Sequence, residues 1–224
     1  MESVLEAHGG IENWKNLKAM NYTFNRGDKN EIHKIALEDR RTRIEGDQWV
    51  IGFDGDEVWV SPDKETYGGN SARFYHNLLF YFYAMPFVLS DPGINYEVLE
   101  PKEIMGKTYE RISIKYNSGV GDAPEDEYIL CYDPESKRME WLFYTVTYFS
   151  QEPGSNYNAL NYTTWKETEG ILLPETMTGY KTSGDTIAEK RYSNTFTDVV
   201  LSKEAFDSSI FEMPEEAEID SLIQ

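Results

Sequence analysis

The chain has 224 residues, with 40 acidic against 21 basic side chains and a formal net charge of -19. That balance excludes nucleic acid, whose phosphates demand clusters of Lys and Arg, and disfavours adsorption to anionic lipid headgroups. The length suits one domain, 1–224, able to bury a core without staples, and the lone Cys131 cannot form an internal disulfide.

Ser3-Val4-Leu5-Glu6 has the spacing of a capping box and opens a short helix, which Gly9-Gly10 interrupts. Ile11, Trp14 and Leu17 then recur at helical spacing. From Lys18 the period shifts to two, with Met20, Tyr22 and Phe24 alternating against polar neighbours. Strands are expected at 31–38, 40–45 and 48–53, the last with Trp49, Ile51 and Phe53 on one face. Asp54-Gly55 is the strongest short hairpin signal in the chain, and 57–61 is the returning strand. A polar, Gly-bearing loop occupies 63–70.

Ser71 to about Leu89 reads as a helix, nearly unbroken in apolar and aromatic residues from Leu78 onward. It is expected to kink or end near Pro86 and to close at Asp91-Pro92-Gly93. The run is too short for a bilayer, which needs about 20 apolar residues. A helix that is apolar all round must be covered all round, by protein or by a ligand.

The second half reads as strands with turn punctuation. Strands at 109–116 and 127–132 flank a Gly/Asp/Pro loop, and a tight turn at 133–136 leads into 139–149. In that last strand Trp141, Phe143 and Phe149 share one face, while Leu142, Tyr144, Val146 and Tyr148 share the other. A strand apolar on both faces is covered on both. Strands at 160–166, 172–181 and 187–197 continue the meander, and the tail 202–214 carries Phe206, Ile210, Phe211 and Met213. The pattern gives about ten or eleven strands and one long internal helix, without a repeat of fixed period.

Catalytic signatures are sparse. The three histidines, His8, His33 and His76, include no pair at the helical spacing of a zinc site. No nucleophile elbow, phosphate loop or dinucleotide fingerprint is present. Each histidine therefore reads as a hydrogen-bonded surface or half-buried residue. The acidic run Asp122, Glu125, Asp126, Glu127 lacks the alternation of a calcium loop and reads as a solvated loop. No metal or cofactor is expected. The aromatic load, however, is high: sixteen Tyr, eleven Phe and five Trp. Each buried tyrosine hydroxyl needs a partner, which a hydrated or amphiphile-filled hollow supplies better than a dry core.

Asp54-Gly55 followed by Val58-Trp59-Val60 and Pro62, then an internal helix, a long meander and the closing Phe211-Glu212-Met213-Pro214, resembles the LolA/LolB/LppX-like superfamily of periplasmic lipoprotein and lipid carriers. The layout, with Ala7-His8-Gly9-Gly10 and Trp14 near its start, is similar to a bacterial LolA-like family of unassigned function. The resemblance implies a mostly β fold with a helical lid. It would be an incomplete antiparallel β-barrel, with an N-terminal helix and the apolar helix packed in the concave face. It also implies an arginine that fastens the lid, Arg40 or Arg41 here, although the basic-residue-then-proline step that usually follows is replaced by Arg41-Thr42-Arg43. Export is implied as well, to the periplasm or outer membrane, with a leader already removed and Met1 an added start.

The leading expectation is a non-enzymatic, monomeric binder or transporter of a lipid, a lipoprotein acyl chain or another apolar ligand. Its site would combine Phe74, Leu78, Phe82, Met85 and Leu89 of the helix with Trp49, Phe53, Trp141, Phe143 and Phe149 of the sheet. Release would hinge near Pro86 and Pro92-Gly93. Two other classes stand beside it: an envelope protein–protein interaction domain, and a glycan hydrolase using Asp and Glu across a cleft.

Overall fold

The computed structural model describes residues 1–117, 126–148, 157–184 and 186–221. Two short helices, α1 (Glu2–Ala7) and α2 (Ile11–Lys15), precede strands β1 (Ala19–Arg26), β2 (Lys29–Ala36), β3 (Thr42–Glu45), β4 (Val50–Phe53) and β5 (Val58–Ser61). Helices α3 (Lys64–Tyr67) and α4 (Ala72–Tyr83) and a 3-10 turn at Phe87–Ser90 follow. Then come β6 (Ile94–Ile104), β7 (Lys107–Tyr116), β8 (Glu127–Tyr132), β9 (Met139–Tyr144), β10 (Asn158–Thr168), β11 (Ile171–Ser183) and β12 (Thr186–Ser202). A second 3-10 turn at Ser208–Phe211 and β13 (Glu218–Ile219) complete the described chain.

The fold is mostly β, with one antiparallel sheet ordered β13-β5-β4-β3-β2-β1-β12-β11-β10-β9-β8-β7-β6. β13 and β6 stand at opposite ends of that order, so the ladder does not close into a barrel. Among the described residues thirteen strands replace the ten or eleven expected, and the two that alternation does not reveal are those two edges. Seven of the eleven residues of β6 are exposed, and the strand carries Glu97, Glu100, Pro101, Lys102 and Glu103. Such charge and proline protect an exposed edge from pairing with another chain.

Three boundaries also differ. The loop at 63–70 contains α3, whose Asp63 carboxylate accepts the Thr66 N–H at 2.7 Å and whose Gly68 takes the left-handed conformation at φ 64°. α4 stops at Tyr83, so the helix ends near Pro86 as expected and does not run on to Leu89; Pro86 has no N–H to continue the ladder and restricts the residue before it. β9 ends at Tyr144, and Phe149 lies outside the described residues.

The chain divides into two compact units. The first comprises Met1–Ile11, Met85–Lys166 and Ile171–Ser193. On one face of its strands Tyr96, Ile114, Tyr128 and Tyr144 oppose one another in turn, and Ile112, Leu130, Leu142 and Leu160 form the next row. The Tyr96 hydroxyl donates to the Leu89 carbonyl, which holds the 3-10 turn against this face. The other face buries Ile129, Cys131, Trp141, Phe143 and Ala159 with Ile104 and Tyr109. β9 is therefore covered on both sides, as its sequence requires.

His8 closes α1. Its Nδ1 donates to the Val4 carbonyl at 2.7 Å, and its ring meets Trp165 edge-on at 4.7 Å. Burial pushes its pKa down to about 4 from 6.5. Between those values the unfolded chain binds a proton that the folded chain refuses, so stability falls as pH drops through that window, by of order 3 kcal/mol in all. We expect the melting temperature to fall between pH 7 and 4, and more gently in a His8→Asn variant. Parallel curves for the two proteins would refute the assignment.

The second unit comprises Glu12–Ala84, Glu167–Gly170 and Asn194–Gln224. α4 packs across β3, β4 and β5 of this unit. Ile44, Ile51, Val58 and Val60 meet Ala72 of α4 there, with Trp49, Phe53, Tyr67 and Tyr75 around them.

Candidate functional site: a polar floor beneath an aromatic helix

Strand register decides what lies under α4. Tyr22 of β1 opposes His33 of β2, and His33 opposes Ile44 of β3. Phe24 opposes Glu31. Glu31 and His33 are thereby delivered onto the covered face, 5% and 1% exposed, while Ile32 between them is 41% exposed. The usual alternation of apolar in and polar out is inverted at this point.

The buried pair is tied to the helix above it. Tyr75 of α4 donates its hydroxyl to Glu31 Oε2 at 2.6 Å, and His33 Nε2 reaches the same oxygen at 3.3 Å. Tyr22 lies stacked on His33, with centroids 4.8 Å apart. Tyr83, at the end of α4, covers Tyr22 at 4.5 Å and stacks on Phe196 at 4.0 Å. Tyr75 thus meets the carboxylate and Tyr22 the imidazole, and Tyr83 and Phe196 back Tyr22.

Charge follows from these contacts. Burial works to raise the Glu31 pKa, but the hydrogen bonds from His33 and Tyr75 outweigh it and hold the carboxyl below its usual range, helped by Arg26. Burial pushes His33 down, against the opposing pull of Glu31. At neutral pH the pair is a carboxylate beside a neutral imidazole. An ionised carboxylate only accepts, so the His33 proton sits on Nε2 and Nδ1 is left as an acceptor. His33 Nδ1 and the Tyr22 hydroxyl have no hydrogen-bond partner among the described residues.

The start of α4 is fixed by other means. Ser71 Oγ accepts the Phe74 N–H at 3.1 Å. Asp220 Oδ2 accepts the N–H groups of Ala72 at 2.6 Å and Arg73 at 3.0 Å, and Lys64 pairs with Asp220 at 3.4 Å. β13 brings Asp220 there by pairing with β5. A carboxylate at a helix N-terminus satisfies orphan donors and complements the helix dipole.

The two candidate arginines separate cleanly. Arg40, in a left-handed turn at φ 65°, places its guanidinium 4.9 Å over the Phe80 ring of α4. Arg41 pairs with Asp39 at 2.8 Å and lies 5.2 Å over Phe211 of the C-terminal segment. Arg40 is the one that reaches the helix. On the other face of the same strands Trp59 is fully buried over Gly52 and donates Nε1–H to the Phe211 carbonyl at 3.1 Å, beside an Arg43 bond to the Ile210 carbonyl at 3.2 Å.

The ten side chains expected to line one hollow are distributed between the units. Trp49 and Phe53 lie in the second unit under the helices, Trp49 against Tyr67 at 5.0 Å and Phe53 against His76 at 5.1 Å. The row of α4 that meets the sheet is Ala72, Tyr75, His76 and Tyr83. At about 100° per residue, Phe74 and Leu78 fall on the opposite flank. Both are half-buried, and Phe82 is buried. Met85 and Leu89 are buried in the first unit. Trp141 and Phe143 are there too, on the strand face opposite to that of Tyr96, Tyr128 and Tyr144. Phe149 lies outside the described residues.

Sequence singled out none of Tyr22, Glu31 and Tyr75, and read His33 as a hydrogen-bonded surface or half-buried residue, whereas the structure buries it at 1% exposure. The signal that marks them is the misplaced Ile32, because continuing the Met20-Tyr22-Phe24 face across the β1–β2 hairpin forces Glu31 and His33 inward. Among the described residues no group of three or more His, Cys, Asp or Glu is placed to hold a metal ion. Nor, among the described residues, is any helix long and apolar enough to cross a membrane.

A family model described as a family of unknown function (DUF6503) matches residues 60–199. No curated protein matches the chain in sequence. Among solved structures, a DUF1329 family protein from Desulfovibrio piger superposes with a TM-score of 0.57 at 10% identity, covering 94% of this chain and 95% of that one. A LolA superfamily protein from Nitrosomonas europaea gives 0.53 at 9% identity, covering 94% and 96%. At such identities the likeness is one of fold, and the fold is LolA-like.

Proposed function

We propose, for a chain that belongs to the DUF6503 family, a non-enzymatic role in binding and carrying a lipid, a lipoprotein acyl chain or another apolar ligand in the bacterial cell envelope. The observation that carries this reading is how α4 is held. It lies over the sheet through aromatic rings, and polar groups tie it at separate points: Asp220 at its start, Glu31 beneath Tyr75, and Arg40 over Phe80. Such a cover can lift without unravelling the strands below, since each tie is a side-chain contact and none belongs to the strand ladder. The LolA-like fold supports the same reading, because that superfamily is one of lipoprotein and lipid carriers.

In this reading Trp49 and Phe53 supply apolar contact beneath the helices of the second unit, Phe74 and Leu78 supply it separately on the opposite flank of α4, and Arg40 fastens the helix. Binding energy would come from area, at about 25 cal/mol per Å2 of apolar surface removed from water. Protein purified from an envelope fraction is expected to show lipid adducts in native mass spectrometry. After delipidation it is expected to take up labelled phospholipid, fatty acid or monoacylglycerol. Protein that carries no adduct and takes up none of the three would overturn the proposal.

A further inference from the structure

We infer that Tyr22 and His33 form the polar end of the ligand site, and that they take a neutral hydroxyl head group, as in a monoacylglycerol or fatty alcohol, in preference to a carboxylate. The inference rests on the carrier reading above and names its ligand class. Tyr22 and His33 stand side by side on paired strands, 0% and 1% exposed, with the Tyr22 hydroxyl and His33 Nδ1 unpartnered among the described residues. Buried polar groups in native proteins are nearly always paired, so two orphans in neighbouring residues point to a group that arrives from outside.

The proton inventory selects that group. Glu31 takes Nε2–H, which leaves Nδ1 able only to accept, and the Tyr22 hydroxyl can donate or accept. The complementary partner must donate to Nδ1 and can exchange a second bond with Tyr22. An alcohol does both. An ionised fatty acid has no proton for Nδ1, and its charge would lie near the Glu31 carboxylate in a poorly solvated place. The rings around Tyr22, those of Tyr83 and Phe196, offer apolar contact for the carbons next to the head. Entry requires α4 to lift, because Tyr75 and Tyr83 cover the pair.

Two probes with the same twelve-carbon tail test the inference: 1-monolaurin and laurate, titrated at pH 7.5 into the delipidated full chain. Monolaurin should bind about tenfold more tightly, the worth of one buried hydrogen bond. Tyr22→Phe, which removes only the hydroxyl, should lower monolaurin affinity about five- to tenfold and leave laurate unchanged, with an unreduced melting temperature showing that it folds. Equal affinities, a preference for laurate, or a Tyr22→Phe effect that is absent or common to both probes would overturn the inference while leaving the carrier reading intact. Failure of both probes to bind would overturn the carrier reading and the inference with it.

Discussion

Replacing Glu31 by alanine is expected to lower the unfolding free energy by about 3–5 kcal/mol. The loss comes less from the carboxylate itself than from what it leaves behind. The Tyr75 hydroxyl and the His33 Nε2–H, both directed at Glu31 Oε2, would lose that acceptor in a largely buried site. Glu31→Gln keeps the shape and one acceptor oxygen, so about half the loss should return. Urea unfolding followed by tryptophan fluorescence measures both variants. Hydrogen exchange should show 72–83 opening faster in the alanine variant than in the parent, since Tyr75 ties α4 to the sheet. A loss below about 1 kcal/mol would mean that the buried pair does not hold the helix.

Gly52→Ala is the second large effect, and its origin is purely steric. Gly52 is not at positive φ, so its backbone could accept any residue. A β-carbon there would stand 2.0 Å from Trp59 Cζ2 and 2.1 Å from Cε2. The indole cannot tilt away, because it is fully buried and its Nε1–H is bonded to the Phe211 carbonyl at 3.1 Å. The expected cost is about 3 kcal/mol. A Trp59→Leu change, itself destabilising, should absorb most of that cost when the two are combined. Coupling of about 2 kcal/mol or more in the double-mutant cycle would show it. Strict additivity, or a Gly52→Ala protein as stable as the parent, would refute the contact.

Much of the architecture was legible because its signals are local. Asp54-Gly55 falls between β4 and β5, where a two-strand reversal was expected, and the Met20-Tyr22-Phe24 face of β1 is buried throughout. What escaped has a physical cause in each case. β6 and β13 are edges, and an edge strand exposed over most of its length has too little buried face to impose a period. The orientation of β9 could not be read, since a strand covered on both sides shows no contrast between them. Trp141 and Phe143 were therefore grouped with the helix-facing residues, and the structure puts them on the face opposite to that of Tyr128 and Tyr144.

The tyrosines are the most instructive case. Their number suggested hydroxyls served by a solvent-filled or ligand-filled hollow. Several are instead served by acids: Tyr75 by Glu31, Tyr109 by Glu140 and Tyr157 by Glu127. Part of the negative charge that first read as a solubility feature thus belongs to the interior bonding of the fold. The Tyr22 hydroxyl has neither an acid nor another partner among the described residues, which could be found only once the strands were in register.

The two units are spliced from alternating lengths of chain, three to each, so that 12–84 needs 194–221 as a neighbour in the ladder and 85–166 needs 171–193. No single cut can release either unit whole. During synthesis, β1 waits for its partner β12 and the start of α4 waits for Asp220, nearly 150 residues downstream. Long-range closure of this kind slows folding, and it leaves the start of α4 unfastened until β13 has paired with β5.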